Sequence, residues 1–360
     1  MPTFRPDLDQ IITYDPGKPI EEVSRELGLE DVVKLASNES PVEAFPEVQD
    51  AIARAADGVH RYPETSSYYL AEALAEHHGV DRTEVWVGPG STGILVSMAL
   101  ATIRPGTSSV FADPSFVVYP IGTAIGGGES IRVPLDADYR HDPHAMAGAV
   151  RDDTRVVFYC NPNNPTGTHT SGKDVAALVA SVPDRVLVVV DEAYAEYAIA
   201  TDYASAIPLI ASHPNVVVTR TFSKVYGLAG MRVGYAIGQR ATLDALRRLQ
   251  LPFATTTLAQ VAAIEALRHP ERLAERVADN AAGRDMLTAE LRARGQHAID
   301  SQTNFVLWQT PGDAAGTAAA FLRKGVIVRP MGPWIRISVG TESENRRFSV
   351  VLDDVIESTG

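Results

Sequence analysis

Short apolar runs rich in Val and Ile recur along this chain, and segments with helical spacing separate them. EVWVG (84–88), SSVFAD (108–113), SIRVPL (130–135), RVVFYC (155–160), RVLVVVD (185–191), NVVVTRTF (215–222) and RVGYAIG (232–238) read as strands. Helices are expected from Ser91 and from Ser115, and earlier over EVQDAIARAA and YYLAEALAEHH, with the turn Arg61-Tyr62-Pro63 between those two. Near-continuous β-branched runs alternating with helices predict an α/β fold with a mostly parallel sheet covered on both faces.

Before that series, residues 1–40 form an arm punctuated by Pro2, Pro6, Pro16, Gly17 and Pro19, with a short helix expected at 20–28. Such an arm is expected to pack on the smaller domain or a partner subunit, because alone it buries too little surface. Residues 41–250 are expected to form the large domain and 251–360 a smaller α+β one. The smaller one contains a long helix at 271–295, TNFVLWQT, a helix at 313–323, GVIVRP, WIRISVG and a last helix from about 342.

Composition narrows the function classes. The 360 residues are 45% hydrophobic and carry a net charge of −13, which argues against nucleic acid or an anionic membrane as partner. One cysteine, Cys160, excludes an internal disulfide and reads as a core residue. The start lacks a signal-peptide pattern, and no apolar run has membrane-spanning length, so a cytoplasmic protein is expected. The nine histidines show no metal spacing, so no metal is expected.

Candidate chemistry gathers at strand ends. Lys224 lies in a Ser/Thr/Gly-rich loop after VVVTRTF, where a partly desolvated amine suits Schiff-base chemistry. Asp191 ends the most apolar strand, a costly place for a carboxylate unless a donor or cation meets it. Gly88-Pro89-Gly90-Ser91-Thr92-Gly93 follows a strand and opens a helix, which suits a phosphate. It also matches the GxGxxG dinucleotide fingerprint, leaving a nicotinamide dehydrogenase open. Asn161-Pro-Asn-Asn-Pro-Thr-Gly167 closes another strand as a rigid turn. Arg336, inside WIRISVG, is expected to meet a carboxylate or phosphate.

Taken in order, KLASNESP, RYP, GPGST, NPNNPTG, DEAY, TFSKVYGLAGMRVG and WIRISVG resemble the fold-type I pyridoxal-phosphate aminotransferases. The branch resembled is that of the histidinol-phosphate and aromatic amino-acid aminotransferases, over almost the whole chain. The resemblance implies a large cofactor-binding domain, a smaller domain and a homodimer with shared active sites. It implies ping-pong Schiff-base amino transfer between histidinol phosphate, or an aromatic amino acid, and 2-oxoglutarate/glutamate. Lys224 would hold pyridoxal 5'-phosphate and shuttle the proton, Asp191 would pair with the ring nitrogen, and Asn164 and Tyr194 would bond the phenolic oxygen. Phe116 would stack on the ring. Ser91, Thr92, Ser223 and Arg232 would hold the phosphate, joined by Tyr62 of the other subunit. Arg336 would bind substrate, with Tyr14, Asn38 and Arg329 as helpers. A decarboxylase of the threonine-phosphate type shares this fold and stays open. Two departures bear on substrate: only Gly332-Pro333 separates VIVRPM from WIRISVG, and Phe253 stands where some relatives use tyrosine.

Overall fold

The computed structural model describes residues 2–13, 17–310 and 312–359. Tyr14 lies outside them. In chain order the strands are β1 (Val33–Lys34), β2 (Val85–Gly88), β3 (Ser108–Asp113), β4 (Glu129–Pro134), β5 (Thr154–Cys160), β6 (Leu187–Asp191), β7 (Val216–Thr221), β8 (Gly234–Gly238), β9 (His297–Ala298), β10 (Phe305–Gln309), β11 (Val326–Ile327), β12 (Arg329–Met331) and β13 (Trp334–Ser338). The helices begin with α1 (Ile20–Leu27), α2 (Pro46–Ala55), α3 (Tyr68–His78), α4 (Gly90–Thr102), α5 (Val118–Gly126), α6 (Pro143–Gly148), α7 (Gly172–Ser181) and α8 (Arg240–Leu246). They end with α9 (Thr257–Leu267), α10 (Pro270–Ala293), α11 (Ala314–Arg323) and α12 (Glu342–Thr359).

Seven strands form one sheet in the order β2-β8-β7-β6-β5-β3-β4. All pairings are parallel except those of β8, which runs antiparallel to both β2 and β7. Alternate residues of β6 enter different cores: Val188 and Val190 join one hydrophobic cluster, Leu187 and Val189 another. Burial on both faces explains why these strands read as unbroken Val runs. The order 3-5-6 among consecutive parallel strands places the C-terminal ends of β5, β6 and β7 along one edge, where α/β sheets build ligand sites.

A four-stranded antiparallel sheet, β12-β13-β10-β9, carries the smaller core with Trp308, Phe321 and Phe348. The arm reaches this unit directly, since β1 pairs in parallel with β11 and Val23 packs on Ile327. Two elements differ from expectation. The helix expected from Ser115 starts at Val118, because residues 114–117 form the loop that bears Phe116. Helix α9, expected in the smaller domain, lays Ala259, Ala262, Ala263 and Ala266 into the large-sheet core.

Candidate active site

The ends of β5, β6 and β7 and the N-terminus of α4 converge with β13 and the arm. Asp191, the last residue of β6, is 1% exposed. The donors to its carboxylate are neutral: Tyr119 Oη at 2.8 Å, Thr219 Oγ1 at 3.3 Å and the Ala193 N–H at 3.3 Å. Burial pushes its pKa up to about 6, against the pull of those hydrogen bonds. A buried carboxylate held only by neutral donors fits a protonated ring nitrogen as its missing cation.

Lys224 follows β7 by three residues and is half-buried. Its Nζ lies 5.7 Å from the centre of the Tyr194 ring. Burial lowers its pKa to about 8, aided by the positive charges of Arg336 and Arg232 and opposed by Glu39 and Asp191. An amine with this pKa is a usable nucleophile and base near neutrality, which a surface lysine is not.

Arg336 joins the two units. Its Nη1 donates to Asn164 Oδ1 at 2.7 Å and its Nη2 to the Ala36 carbonyl at 2.9 Å. Asn38 donates from Nδ2 to Tyr194 Oη at 3.1 Å, and Ser338 Oγ donates to Asn38 Oδ1 at 2.9 Å. Arg329 is the cross-strand partner of Arg336 in the β12–β13 pair. Phe305 lies under the Arg336 guanidinium at 5.4 Å.

A cradle forms where α4 begins. Gly90 sits at φ +77°, and a Cβ there would stand 2.9 Å from Arg232 Nη2. Gly234 is tighter still, because a Cβ there would lie 2.5 Å from the Ser91 backbone nitrogen. Arg232 occupies φ +53°, a left-handed conformation that costs a non-glycine residue about 1 kcal/mol or more. Its Nη1 bonds Ser223 Oγ at 3.4 Å and the Ala229 carbonyl at 2.8 Å. The first-turn N–H groups at Ser91 and Thr92 have no partner within the helix by its geometry, so this N-terminus, a guanidinium and a hydroxyl together suit a phosphate. The chemistry of the whole set thus fits a phosphorylated pyridine aldehyde.

Phe116 packs edge-on against Tyr119, the donor to Asp191, with ring centres 5.8 Å apart. Tyr62 is set apart from the Lys224 group: it is 81% exposed and stacks on Phe253 at 4.5 Å. Cys160 is buried, with its thiol pKa pushed up by burial, which suits a core role. Three contributors escaped sequence reasoning: Tyr119, Thr219 and Ser338. Thr219 was within reach, since pairing β6 with β7 places it opposite Asp191. A cleft of about 980 Å³ between α10 and residues 137–140 contains none of these groups, and its Arg292 pairs with Asp300. Among the described residues no cluster of His, Cys, Asp or Glu could hold a metal, and no helix is long and apolar enough to cross a membrane.

The dehydrogenase reading of GPGSTG fails on topology. Its strand, β2, is an edge strand whose one partner is antiparallel, whereas a dinucleotide fingerprint follows a parallel strand inside the sheet. What fold and site define instead is a class of aminotransferases. The profile of the family described as aminotransferase class I and II matches residues 30–352, and the chain belongs to that family. It is 39% identical to a histidinol-phosphate aminotransferase of Moorella thermoacetica, over 99% of this chain and 94% of that one. It is 42% identical to histidinol-phosphate aminotransferase 2 of Pseudomonas aeruginosa, over 98% and 97% of the two chains. Among solved structures, histidinol-phosphate aminotransferase from Sinorhizobium meliloti in complex with pyridoxal-5'-phosphate superposes with a TM-score of 0.91. That match has 29% identity and covers 99% of this chain and 98% of the other.

Proposed function

We propose that this protein is a pyridoxal-phosphate-dependent aminotransferase that moves an amino group between histidinol phosphate and 2-oxoglutarate. The observation that carries the reading is Lys224, with its depressed pKa, and a buried Asp191 hydrogen-bonded by neutral donors, together with one phosphate cradle. The full-length likeness to histidinol-phosphate aminotransferases supports the substrate.

When bound, pyridoxal phosphate supplies an electron sink for the pair left at the donor's Cα as its proton departs. The chain's residues do the rest. Lys224 would hold the cofactor, and its freed amine would take the proton from the donor's Cα and deliver it to C4′ of the cofactor, the reverse transfer serving the acceptor. Asp191 would keep a proton on the ring nitrogen, and the hydrogen bonds from Tyr119 and Thr219 would hold its carboxylate in place for that. Asn164 and Tyr194 would hydrogen-bond the phenolic oxygen. Ser91, Thr92, Ser223 and Arg232 would hold the phosphate, and Phe116 would stack on the ring.

Arg336 serves both substrates in turn. Glutamate presents a carboxylate and histidinol phosphate presents a phosphate, and a guanidinium fork suits either group. Arg336→Ala is therefore expected to raise KM about 10- to 100-fold for glutamate and for histidinol phosphate, with a smaller change in kcat. An unchanged KM for both would remove Arg336 from the substrate site. The reading as a whole is tested with a donor panel of histidinol phosphate, Phe, Tyr and Leu against 2-oxoglutarate as the amino acceptor. Histidinol phosphate should give the highest kcat/KM. A preference for Phe or Tyr would instead favour an aromatic aminotransferase, and carbon dioxide release without keto-acid dependence would favour a decarboxylase.

A homodimer with shared sites completes the reading. Tyr62 and Phe253 stack in the open, and Leu251 is 75% exposed beside them, an apolar surface that a second copy would cover. Light scattering after gel filtration should give twice the chain mass at micromolar concentration. Mixing Lys224→Ala with Tyr62→Ala protein should restore activity through hybrid dimers, provided the subunits exchange; a monomer that is fully active would refute the shared site.

A further inference from the structure

The site described uses Asp191 and Lys224 but neither Glu192, the neighbour of Asp191 in sequence, nor Arg220, four residues before Lys224. Side chains alternate along strands, so Glu192, one step past Asp191, and Arg220, one step past Thr219, project to the opposite face. One face of this strand pair carries Asp191 with Thr219, which are register partners. Behind it, Glu192 Oε2 accepts from Arg220 Nε at 3.1 Å and Nη2 at 2.7 Å. Glu192 is almost fully buried, and its remaining capacity is filled by Ser205 Oγ at 2.8 Å and the Ala206 N–H at 2.6 Å. Arg220 also donates from Nη1 to Glu196 Oε1 at 3.3 Å and from Nη2 to Ser205 Oγ at 3.1 Å. One guanidinium thereby ties together the end of β6, the turn at Glu196, the segment at 205–206 and the end of β7.

Buried ion pairs add little net stability compared with packed apolar groups, because desolvating both charges offsets their attraction. What this one fixes is geometry. The offset between the ends of β6 and β7 sets where Asp191 stands relative to Lys224. The backbone adds one bond at this point, from the Glu192 N–H to the Thr219 carbonyl at 2.9 Å. The β6–β7 register ends at Asp191 and Thr219, so the side-chain clamp at Glu192 and Arg220 lies one residue past the point where that ladder gives out.

We propose that Glu192 and Arg220 are positioning residues, whose buried forked pair locks the ends of β6 and β7 so that Asp191 and Lys224 address the same ring. The proposal rests on the cofactor reading under Proposed function. Its test keeps the charges and alters only the reach, with Arg220→Lys and Glu192→Asp in the reconstituted protein. A peripheral control, Arg294→Lys, loosens the pair with Asp353 on the smaller unit.

Both clamp variants should fold, judged by circular dichroism, and should lose about 10- to 100-fold in kcat with KM for glutamate changed less than about twofold. The pH midpoint of the cofactor's visible absorption band should move by about half a unit or more, because the charges around Lys224 shift relative to it. Arg294→Lys should change neither. Folded variants with the wild-type midpoint and kcat overturn the proposal. If the single variants fail to fold, Glu192→Leu/Arg220→Met, which removes both members of the pair, decides by the same two readouts. A wild-type protein that shows no visible band or amino transfer would refute the cofactor reading itself, an outcome distinct from unaffected variants of an active enzyme.

Discussion

Lys224→Ala is expected to abolish amino transfer, lowering kcat/KM about 10⁴-fold or more, because in the proposed mechanism one amine both holds the cofactor and moves the proton. Exogenous amines could replace the proton transfer but not the tether. The fold should survive, and the ligand-free protein should become more stable at pH 7. Lys224 has a pKa of about 8 in the folded chain, below its ordinary value of 10.5. The unfolded chain therefore binds more protons between those two values, and stability rises with pH across that window. Below pH 8 the buried amine costs its full penalty, on the order of 1 to 3 kcal/mol. Alanine removes it, so the gain in melting temperature should be largest below pH 8 and should fade as the pH approaches 10.5. Retained turnover with glutamate would remove Lys224 from the mechanism.

Asp191→Asn is the second large effect. The amide keeps the shape but cannot hold the ring nitrogen protonated, and about a 10³-fold loss in kcat follows from removing a preorganised charge of this kind. Stability should again move the other way. The folded-state pKa of Asp191 is about 6, above its ordinary 3.8. The folded chain then binds more protons between those values, so the penalty is absent below about pH 3.8, grows through this window and is complete above pH 6. A shift of about two units corresponds to about 3 kcal/mol as an upper bound. Melting curves of ligand-free Asp191→Asn should lie above wild type at about pH 7.5 and coincide with it near pH 4. Equal melting at both values would mean that Asp191 is not buried as a charge. Both predictions describe a site where burial disfavours the charged forms of two groups that the proposed mechanism uses, an exchange of stability for activity.

Much of this was legible in the sequence, for identifiable reasons. The sheet was legible because β5, β6 and β7 are buried on both faces and therefore spell Val runs. Lys224 and Asp191 stood out because a charge at the end of such a strand needs a reason. The GPGSTG segment was ambiguous because its letters suit either kind of phosphate site; only the edge position of β2 and the approach of Arg232 to Gly90 separate them. Tyr119 was beyond reach, since its bond to Asp191 spans 72 residues and nothing local marks it. The helix expected at Ser115 begins at Val118 for a related reason: the Ser115 hydroxyl donates to Asn163 Oδ1 at 2.8 Å, a contact across 48 residues that periodicity does not show. Glu192 and Arg220 lie within DEAY and NVVVTRTF, yet only strand pairing brings those segments side by side.

The central claim is that one cofactor joins these residues through Lys224. Borohydride reduction of the pyridoxal-phosphate-reconstituted protein, followed by proteolysis and mass spectrometry, tests it most directly. A phosphopyridoxyl group on Lys224, at close to one per chain, is the expected result. A label on another lysine, or none on a protein that remains active, would contradict it.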